Sequence, residues 1–203
     1  MRGINVSLFP SITFHGGKYM YFLGIDLGTS SVKIILMSDN GSVVSSVSKE
    51  YPVYYPEPGW AEQNPEDWWN ATKDGVKEII AKSGVNGDDI KGVGLSGQMH
   101  GLVLLDKDNN VITPAILWCD QRTQEECDYI TGKIGKEGLL KYTGNKALTG
   151  FTAPKILWVR KHLPDVYAKI AHILLPKDYI RFKLTGEYAT EVSDASGTLL
   201  FDV

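Results

Sequence analysis

The stretch Gly24-Ile25-Asp26-Leu27-Gly28-Thr29-Ser30-Ser31 places a carboxylate and a turn of small residues between two apolar runs. A glycine-containing turn lets backbone N–H groups approach an anion closely, and the hydroxyls of Thr29 and Ser30 add donors without blocking that approach. Asp26, at the end of the first run, is placed to reach a metal ion bound to such an anion. The stretch predicts a phosphate-holding β-hairpin, although Asp-x-Gly after a strand also occurs in ordinary hairpin turns.

Three strand-like runs surround this turn, and we expect them at Tyr21 to Ile25, Val32 to Met37 and Ser42 to Lys49. Between the last two, Ser38-Asp39-Asn40-Gly41 has the composition of a tight turn. Runs joined this closely predict an antiparallel meander, which is how an actin-like or hexokinase-like lobe begins. In such a lobe the first hairpin faces the phosphates of a nucleotide.

A helix and a further strand follow the meander. Asn64-Pro65-Glu66-Asp67 combines an N-cap residue, a proline at the first helical position and acidic residues in the first turn, so we expect a helix from Pro65 to Lys82. Ile90 to Ser96 has the composition of a buried strand. Sheet, helix and strand in this order predict an α/β layered domain.

The second half of the chain has a different character. Leu102 to Leu105 and Val111-Ile112 flank turn residues and predict a hairpin. Beyond it, the sequence predicts mainly helices, at 122–132, 153–162 and 177–184, because each of these segments begins near Thr or Pro and ends near Gly or Pro.

Composition narrows the class of protein. The 203 residues are 43% apolar and carry a net charge of −3, which is typical of a globular protein with a core. The sequence shows no basic block and no apolar run of about 18 residues, so neither nucleic acid nor a membrane is an expected partner. Residues 1–19 lack a signal-peptide pattern, and we interpret them as an N-terminal extension or as a start assigned too early, with Met20 the natural start. Cys119 and Cys127 are too far apart for a C-x-x-C pair, and they favour free thiols in the cytoplasm.

A second group of polar residues, Ser96-Gly97-Gln98-Met99-His100-Gly101, follows the predicted strand at Ile90. Ligands of open α/β sheets usually bind at such strand ends. His100 and Gln98 are able to exchange hydrogen bonds with a polyol, and Met99 offers an apolar wall to a sugar face. The alternative is a turn histidine whose hydrogen bonds are satisfied within the protein.

Other polar and aromatic residues favour structural roles. We expect Asp120 and Arg122 to form an ion pair, and Asp178 and Asp194 to cap helices or turns. The tryptophans of the middle of the chain are expected to pack the first helix against the sheet, and these are Trp60, Trp68 and Trp69.

Taken together, several motifs in order resemble the FGGY carbohydrate kinases, from Met20 to Val203. The resemblance is closest to the members that act on D-xylulose. It rests on the Asp26 turn and on the Met99-His100 motif, together with further segments. These are Glu62-Gln63-Asn64-Pro65, Trp68-Trp69, Pro114 to Trp118, Gly150 to Lys155, Leu175 to Tyr179 and Ser193 to Thr198.

The resemblance implies the first lobe of the actin-like ATPase (ribonuclease H-like) superfamily, an α/β fold whose mixed sheet contains an antiparallel meander flanked by helices. It implies transfer of the γ-phosphoryl group of ATP, with Mg²⁺, to the 5-hydroxyl of D-xylulose. By the same carry-over, Asp26 is the catalytic residue of the Mg²⁺ and phosphate region, Thr29 and Ser30 bind the nucleotide, and Met99 and His100 bind the sugar. Glycerol kinases have Arg-Glu at the last two positions, so Met99-His100 favours a ketopentose.

The sequence ends where the resemblance expects the first lobe to end, so residues 20–203 are interpreted as a sugar-binding lobe without the C-terminal lobe. That second lobe carries the catalytic base in the family, and the isolated chain is expected to be inactive. Three alternatives stay open: a ribulokinase-like or gluconokinase-like specificity, a non-catalytic sugar-binding module, and an interaction protein that forms a homodimer through the exposed face.

Overall fold

The computed structural model describes residues 20–203, so the N-terminal extension expected at 1–19 lies outside the described residues. Its main feature is a four-stranded sheet with the order β3-β2-β1-β5. β1 pairs antiparallel with β2 and parallel with β5, and β2 pairs antiparallel with β3. The strands are β1 (Tyr21–Leu27), β2 (Ser31–Ser38), β3 (Val43–Glu50) and β5 (Ile90–Gly97). The predicted meander and the mixed sheet are confirmed.

One face of this sheet is covered by helix α1 (Pro65–Ser83). Alternate residues of β1 and β2 point toward the helix, because successive side chains of a strand lie on opposite faces, and they form the core with Trp68 and Ile79. The helix begins where the sequence predicts, since the Asn64 side chain accepts a hydrogen bond from the Glu66 N–H at 3.1 Å. It ends at Gly84, whose φ of 66° is the left-handed conformation that glycine adopts without strain.

Two small sheets and six further helices complete the fold of the described residues, and part of them packs around a second apolar cluster. The cluster joins Leu102, Leu104 and Ile116 to Trp158 and Val159. The strands pair antiparallel as β4 (Glu62–Gln63) with β7 (Ala115–Ile116), and as β6 (Val103–Leu105) with β8 (His172–Leu174). The helices are α2 (Gln124–Ile134), α3 (Lys136–Thr143), α4 (Thr152–His162), α5 (Pro164–Tyr167), α6 (Pro176–Thr185) and α7 (Val192–Ala195). No helix within residues 20–203 has both the length and the apolar character that crossing a bilayer requires.

Two sequence-based expectations about this fold are wrong, and one helix was not predicted. β5 is not a buried strand: it lies at the sheet edge with β1 as its partner, none of its residues is buried, and Val93 is 53% exposed. Helix α3 lies outside the segments for which the sequence predicts helices. Trp60 packs edge-on against Trp158 of α4 with ring centroids 5.2 Å apart, rather than fixing α1 to the sheet.

We predict that Gly75→Val destabilises the fold by about 1 to 3 kcal/mol through overpacking. A Cβ atom at Gly75, on the buried face of α1, would lie 2.6 Å from Cδ1 of the fully buried Ile34. Gly132→Val in α2 is the matched control, because a Cβ there meets nothing within 4 Å. Urea denaturation of both variants measures the difference, and equal free energies of unfolding would contradict the close packing of α1 on β2.

Candidate functional site

The sheet face opposite α1 holds Asp26 in an open cleft. Asp26 lies beside Lys33 of β2 and Ser96 of β5 in the strand register, so all three side chains project from the same face. The Ser96 hydroxyl donates a hydrogen bond to Asp26 Oδ1 at 2.6 Å. We call this space of about 480 Å³ the Asp26 cleft, and Gly24 and Gly94 line its floor. An exposed carboxylate next to small residues leaves room for a ligand that is bound through its charge.

The turn between β1 and β2 is fixed by three side chains from elsewhere in the chain. Tyr51 donates to the Gly28 carbonyl at 2.5 Å, Gln63 Nε2 donates to the Thr29 carbonyl at 2.7 Å, and Trp118 Nε1 donates to the Thr29 hydroxyl at 3.0 Å. Burial, and secondarily the charge of Asp26, raises the pKa of Tyr51, so this phenol stays protonated and keeps its role as donor. A turn held at both carbonyls keeps its shape whether or not an anion is present.

Gln63 connects this turn to the second motif. Its side chain is fully buried, and besides the Thr29 carbonyl its amide nitrogen reaches the Pro52 carbonyl at 3.0 Å. Its Oε1 accepts from Trp68 Nε1 and from Gln98 Nε2, both at 3.0 Å. Through one side chain, the turn, helix α1 and the segment that leads to Met99 are joined.

Met99 lies at the mouth of a second, more polar cleft of about 350 Å³, which we call the Met99 cleft. Ser96 lines both clefts, so the Asp26 side and the Met99 side adjoin at this residue. Met99 is 47% exposed, as an apolar wall facing a ligand has to be. Lys177, Glu191, Ser193 and Asp194 complete the polar part of the lining.

His100 lies behind Met99 in a sharp turn. The Gly101 N–H donates to the Met99 carbonyl at 2.8 Å and closes a three-residue turn, and the central His100 has a φ of +62°, which is unfavourable for a residue with a Cβ. Its ring packs against Phe151 with centroids 4.6 Å apart. Burial and the nearby Lys155 charge lower the pKa of His100, so the imidazole is kept neutral near pH 7.

Lys177 gathers the acidic residues of the Met99 cleft. Its ammonium lies 2.9 Å from Asp194 Oδ2, 3.0 Å from Asp178 Oδ1 and 3.4 Å from Glu191 Oε1. Burial by itself lowers the pKa of Lys177, but the hydrogen bonds with Asp194 and Asp178 outweigh it and raise the pKa. Asp178 and Asp194 lie at helix starts, in the first turns of α6 and α7, but the expectation that they cap these helices is wrong, since α6 has no side-chain cap and Glu191 caps α7. Both aspartates instead form ion pairs with the nearly buried Lys177 ammonium.

The predicted pair of Asp120 and Arg122 is confirmed as structural. Arg122 Nη2 lies 2.7 Å from Asp120 Oδ2 and 2.8 Å from Glu62 Oε1, and its guanidinium stacks 3.6 Å from the Trp60 ring centroid. Asp120 Oδ2 also accepts from the Ala61 N–H at 2.7 Å. With its oxygens engaged and no exposed surface, Asp120 is unavailable to a substrate.

The Asp26 cleft fits Mg²⁺ bound together with a nucleotide phosphate. Within residues 20–203, no group of three or more His, Cys, Asp or Glu side chains is arranged to hold a metal ion by itself. Mg²⁺ usually keeps several waters and binds through one or two carboxylates plus substrate phosphates, which is the role open to a single exposed Asp26. The turn that carries Thr29 and Ser30 follows directly after β1, which carries Asp26, although neither residue lines the Asp26 cleft.

The structure brings together only part of the predicted site. Asp26 and Met99 line adjoining clefts, whereas the described linings include neither Thr29, nor Ser30, nor His100. Sequence reasoning missed Ser96 and Lys177 as lining residues. Ser96 belongs to the quoted Gly97-Gln98 motif, and Lys177 belongs to the Leu175 to Tyr179 segment of the resemblance, so membership of these motifs was the available signal for both.

Comparisons with known proteins identify the family to which this architecture belongs. A mixed sheet with an antiparallel meander and a helix-covered face is the architecture of the first lobe of an actin-like ATPase fold. Residues 21–203 match the FGGY family of carbohydrate kinases, N-terminal domain. The chain belongs to this family, which confirms both the resemblance and the predicted fold class.

Individual relatives agree with this assignment. A xylulose kinase of Bacillus subtilis (strain 168) is 51% identical over 183 residues, which are 90% of this chain and 36% of that protein. The crystal structure of a xyloylose kinase from Brucella ovis matches with a TM-score of 0.86 and 41% identity, over 90% of this chain and 38% of that one. A gluconate kinase from Lactobacillus acidophilus matches with a TM-score of 0.85 and 28% identity, over 91% and 37%. The chain thus spans little more than a third of the length of these proteins.

We predict that Gln63→Leu destabilises the protein by about 2 to 4 kcal/mol, because it leaves buried donors and acceptors without partners. It should also shift the backbone amide signals of the turn at Thr29 in an NMR spectrum, since the hydrogen bond from the Gln63 side-chain amide to the Thr29 carbonyl is lost. Gln124→Leu, at an exposed position of α2, is the matched control and should change stability by less than about 0.5 kcal/mol. Unmoved signals at Thr29 would show that Gln63 does not hold the turn.

A second prediction concerns Lys155 of α4, whose pKa burial lowers from 10.5 to about 7. Between these values the unfolded chain binds one proton more than the folded chain, so unfolding takes up a proton and becomes less favourable as the pH rises. The free energy of unfolding, measured relative to Lys155→Met, should therefore increase from pH 7 to pH 10 by about 1.4 kcal/mol per pH unit. A constant difference between the two proteins across this range would contradict the lowered pKa.

Proposed function

We propose that this chain is the sugar-binding part of an ATP-dependent kinase that converts D-xylulose to D-xylulose 5-phosphate. One observation carries the proposal: Asp26 and Met99 lie in clefts that adjoin at Ser96, so a phosphate-binding end and a polyol-binding end share one site. Because a gluconate kinase has a similar fold, the fold alone does not determine which sugar is the substrate. The choice of D-xylulose is supported by Met99-His100 and by the higher identity to relatives called xylulose kinase.

In this proposal the residues divide the work. MgATP, when bound, supplies the phosphoryl group, with the metal ion neutralising its charge. Asp26 holds the Mg²⁺ and phosphate end, and Thr29 and Ser30 donate hydrogen bonds to phosphate oxygens. Met99 contacts the apolar face of the sugar, and the neutral imidazole of His100 binds a hydroxyl group. Phosphoryl transfer requires mainly positioning and charge stabilisation, which these rigidly held groups provide.

We also propose that residues 20–203 by themselves transfer phosphate slowly or not at all. General-base catalysis typically contributes about 10² to 10⁴ in rate, and the aspartates of the predicted polar motifs, Asp120, Asp178 and Asp194, are held in ion pairs instead. Asp120 is bound by Arg122, and Asp178 and Asp194 are bound by Lys177. We therefore assign the catalytic base to a C-terminal lobe. The relatives are long enough to contain such a lobe, since the matched region covers little more than a third of their length. Self-association through the exposed sheet face and a cytoplasmic location remain proposals as well.

Titration of the chain with D-xylulose tests the proposed site. We expect saturable binding that His100→Ala weakens by about tenfold or more, since a buried sugar hydroxyl loses its partner. His162→Ala, on the exposed end of α4, is the matched control and should bind like the wild type. Absence of saturable binding in the wild type, or equal affinity in His100→Ala, would contradict the assigned sugar site. Turnover of ATP and D-xylulose at the rate of a whole kinase would contradict the proposed inactivity.

A further inference from the structure

The backbone of His100 is strained, so the turn at His100 needs contacts that stabilise its conformation. His100 is one of three non-glycine residues with positive φ within residues 20–203, and it is the one that belongs to the proposed sugar site. A glycine at this position would adopt the same conformation without strain. Strained residues of this kind persist where surrounding contacts over-determine them, so the contacts of His100 decide whether Met99 and His100 keep their places.

Two side chains of α4 bind the His100 carbonyl. Lys155 Nζ donates to it at 2.9 Å and to the Gly150 carbonyl at 2.8 Å, and the Thr152 hydroxyl donates to the same His100 oxygen at 3.2 Å. Both side chains are almost completely buried, with Lys155 at 0% exposure. The contacts converge on the backbone of the strained residue rather than on its ring.

Lys155 is an unusual residue for this task. Lysine is almost never fully buried unless it is paired with an acid. Among the described residues, no carboxylate lies within ion-pair distance of Lys155, and the nearby Asp120 is already bound by Arg122. Burial lowers the pKa of Lys155, and the hydrogen-bond partners of its Nζ are two carbonyl groups, one of which belongs to His100.

The ring of His100 is held separately. It lies between Phe151 and Gly197, and a Cβ atom at Gly197 would come within 2.3 Å of His100 Cε1. The space between Phe151 and Gly197 fixes the direction of the imidazole, but these ring contacts do not stabilise the strained backbone. Among the described residues, the hydrogen bonds to the His100 carbonyl come from the side chains of Lys155 and Thr152. The same turn carries Met99.

We propose that Lys155, assisted by Thr152, is a positioning residue that holds the strained Met99-His100-Gly101 turn and thereby sets the affinity of the Met99 cleft for a sugar. The sugar part of this inference rests on the proposed function, whereas the positioning part does not. Helix α4 is thus more than packing for the second apolar cluster. Its buried face fixes the turn that forms one wall of the cleft.

The test compares Lys155→Met, which removes the ammonium and keeps an unbranched apolar side chain, with Lys161→Met. Lys161 is on the same helix, exposed, and bound to Glu125, so it controls for the loss of a lysine. Two quantities are measured: the dissociation constant for D-xylulose, and the NMR signals of the Met99, His100 and Gly101 amides together with the pH titration of the His100 imidazole.

We expect Lys155→Met to shift these three amide signals, to raise the pKa of His100 because a nearby positive charge is removed, and to weaken D-xylulose binding about tenfold or more. Lys161→Met should change none of them. The proposal would be overturned if the Met99, His100 and Gly101 amide signals of Lys155→Met coincided with those of Lys161→Met. Shifted amide signals with unchanged affinity for D-xylulose would overturn it as well.

Two further outcomes keep the test decisive. If Lys155→Met does not fold, Thr152→Val removes the second donor with little change in shape, and it should produce the same changes at smaller size. An unaltered turn and unaltered affinity in Thr152→Val would then overturn the proposal. If the wild type binds no D-xylulose, the proposed function fails, and the NMR signals alone decide whether Lys155 holds the turn.

Discussion

The buried side chain of Gln63 is the interaction on which the site depends. Its amide holds the Thr29 carbonyl in the turn between β1 and β2, and its oxygen accepts from Trp68 in α1 and from Gln98 before Met99. A buried amide is stable only when its donors and acceptors are satisfied, so each partner limits where the others can lie. One residue of the two-residue strand β4 therefore links the turn at Thr29 to the segment that leads into the turn at His100.

Two faces of one sheet serve different purposes. The side chains of β1 and β2 that face α1 form a dry core, whereas the opposite face carries Gly24, Asp26 and Lys33 beside the apolar Ile35, and these four residues line the open Asp26 cleft. Because side chains alternate along a strand, both surfaces come from the same few residues. Stability and ligand access are thus separated without any additional element, and the carboxylate of Asp26 stays accessible beside a rigid core.

The described acidic and basic residues show why pattern alone misassigned some of them. Asp178 and Asp194 follow turn residues, which is the pattern of helix caps, but the fold places the Lys177 ammonium between them. Trp60 was similarly predicted to pack on α1, whereas the Arg122 guanidinium draws it to Trp158.

The sequence by itself determined the meander, helix α1 with both of its ends, and the motifs at Asp26 and Met99, because these depend on local periodicity, capping and turn composition. Tertiary structure alone decided that Ser96 joins the two clefts, that Gln63 fixes the turn, and that Lys155 reaches the His100 carbonyl across 55 residues of sequence. Such contacts join segments that are distant along the chain, and neither partner carries a local pattern that reveals the other. The turn between β1 and β2 was therefore visible in the sequence, while the framework that holds it was not.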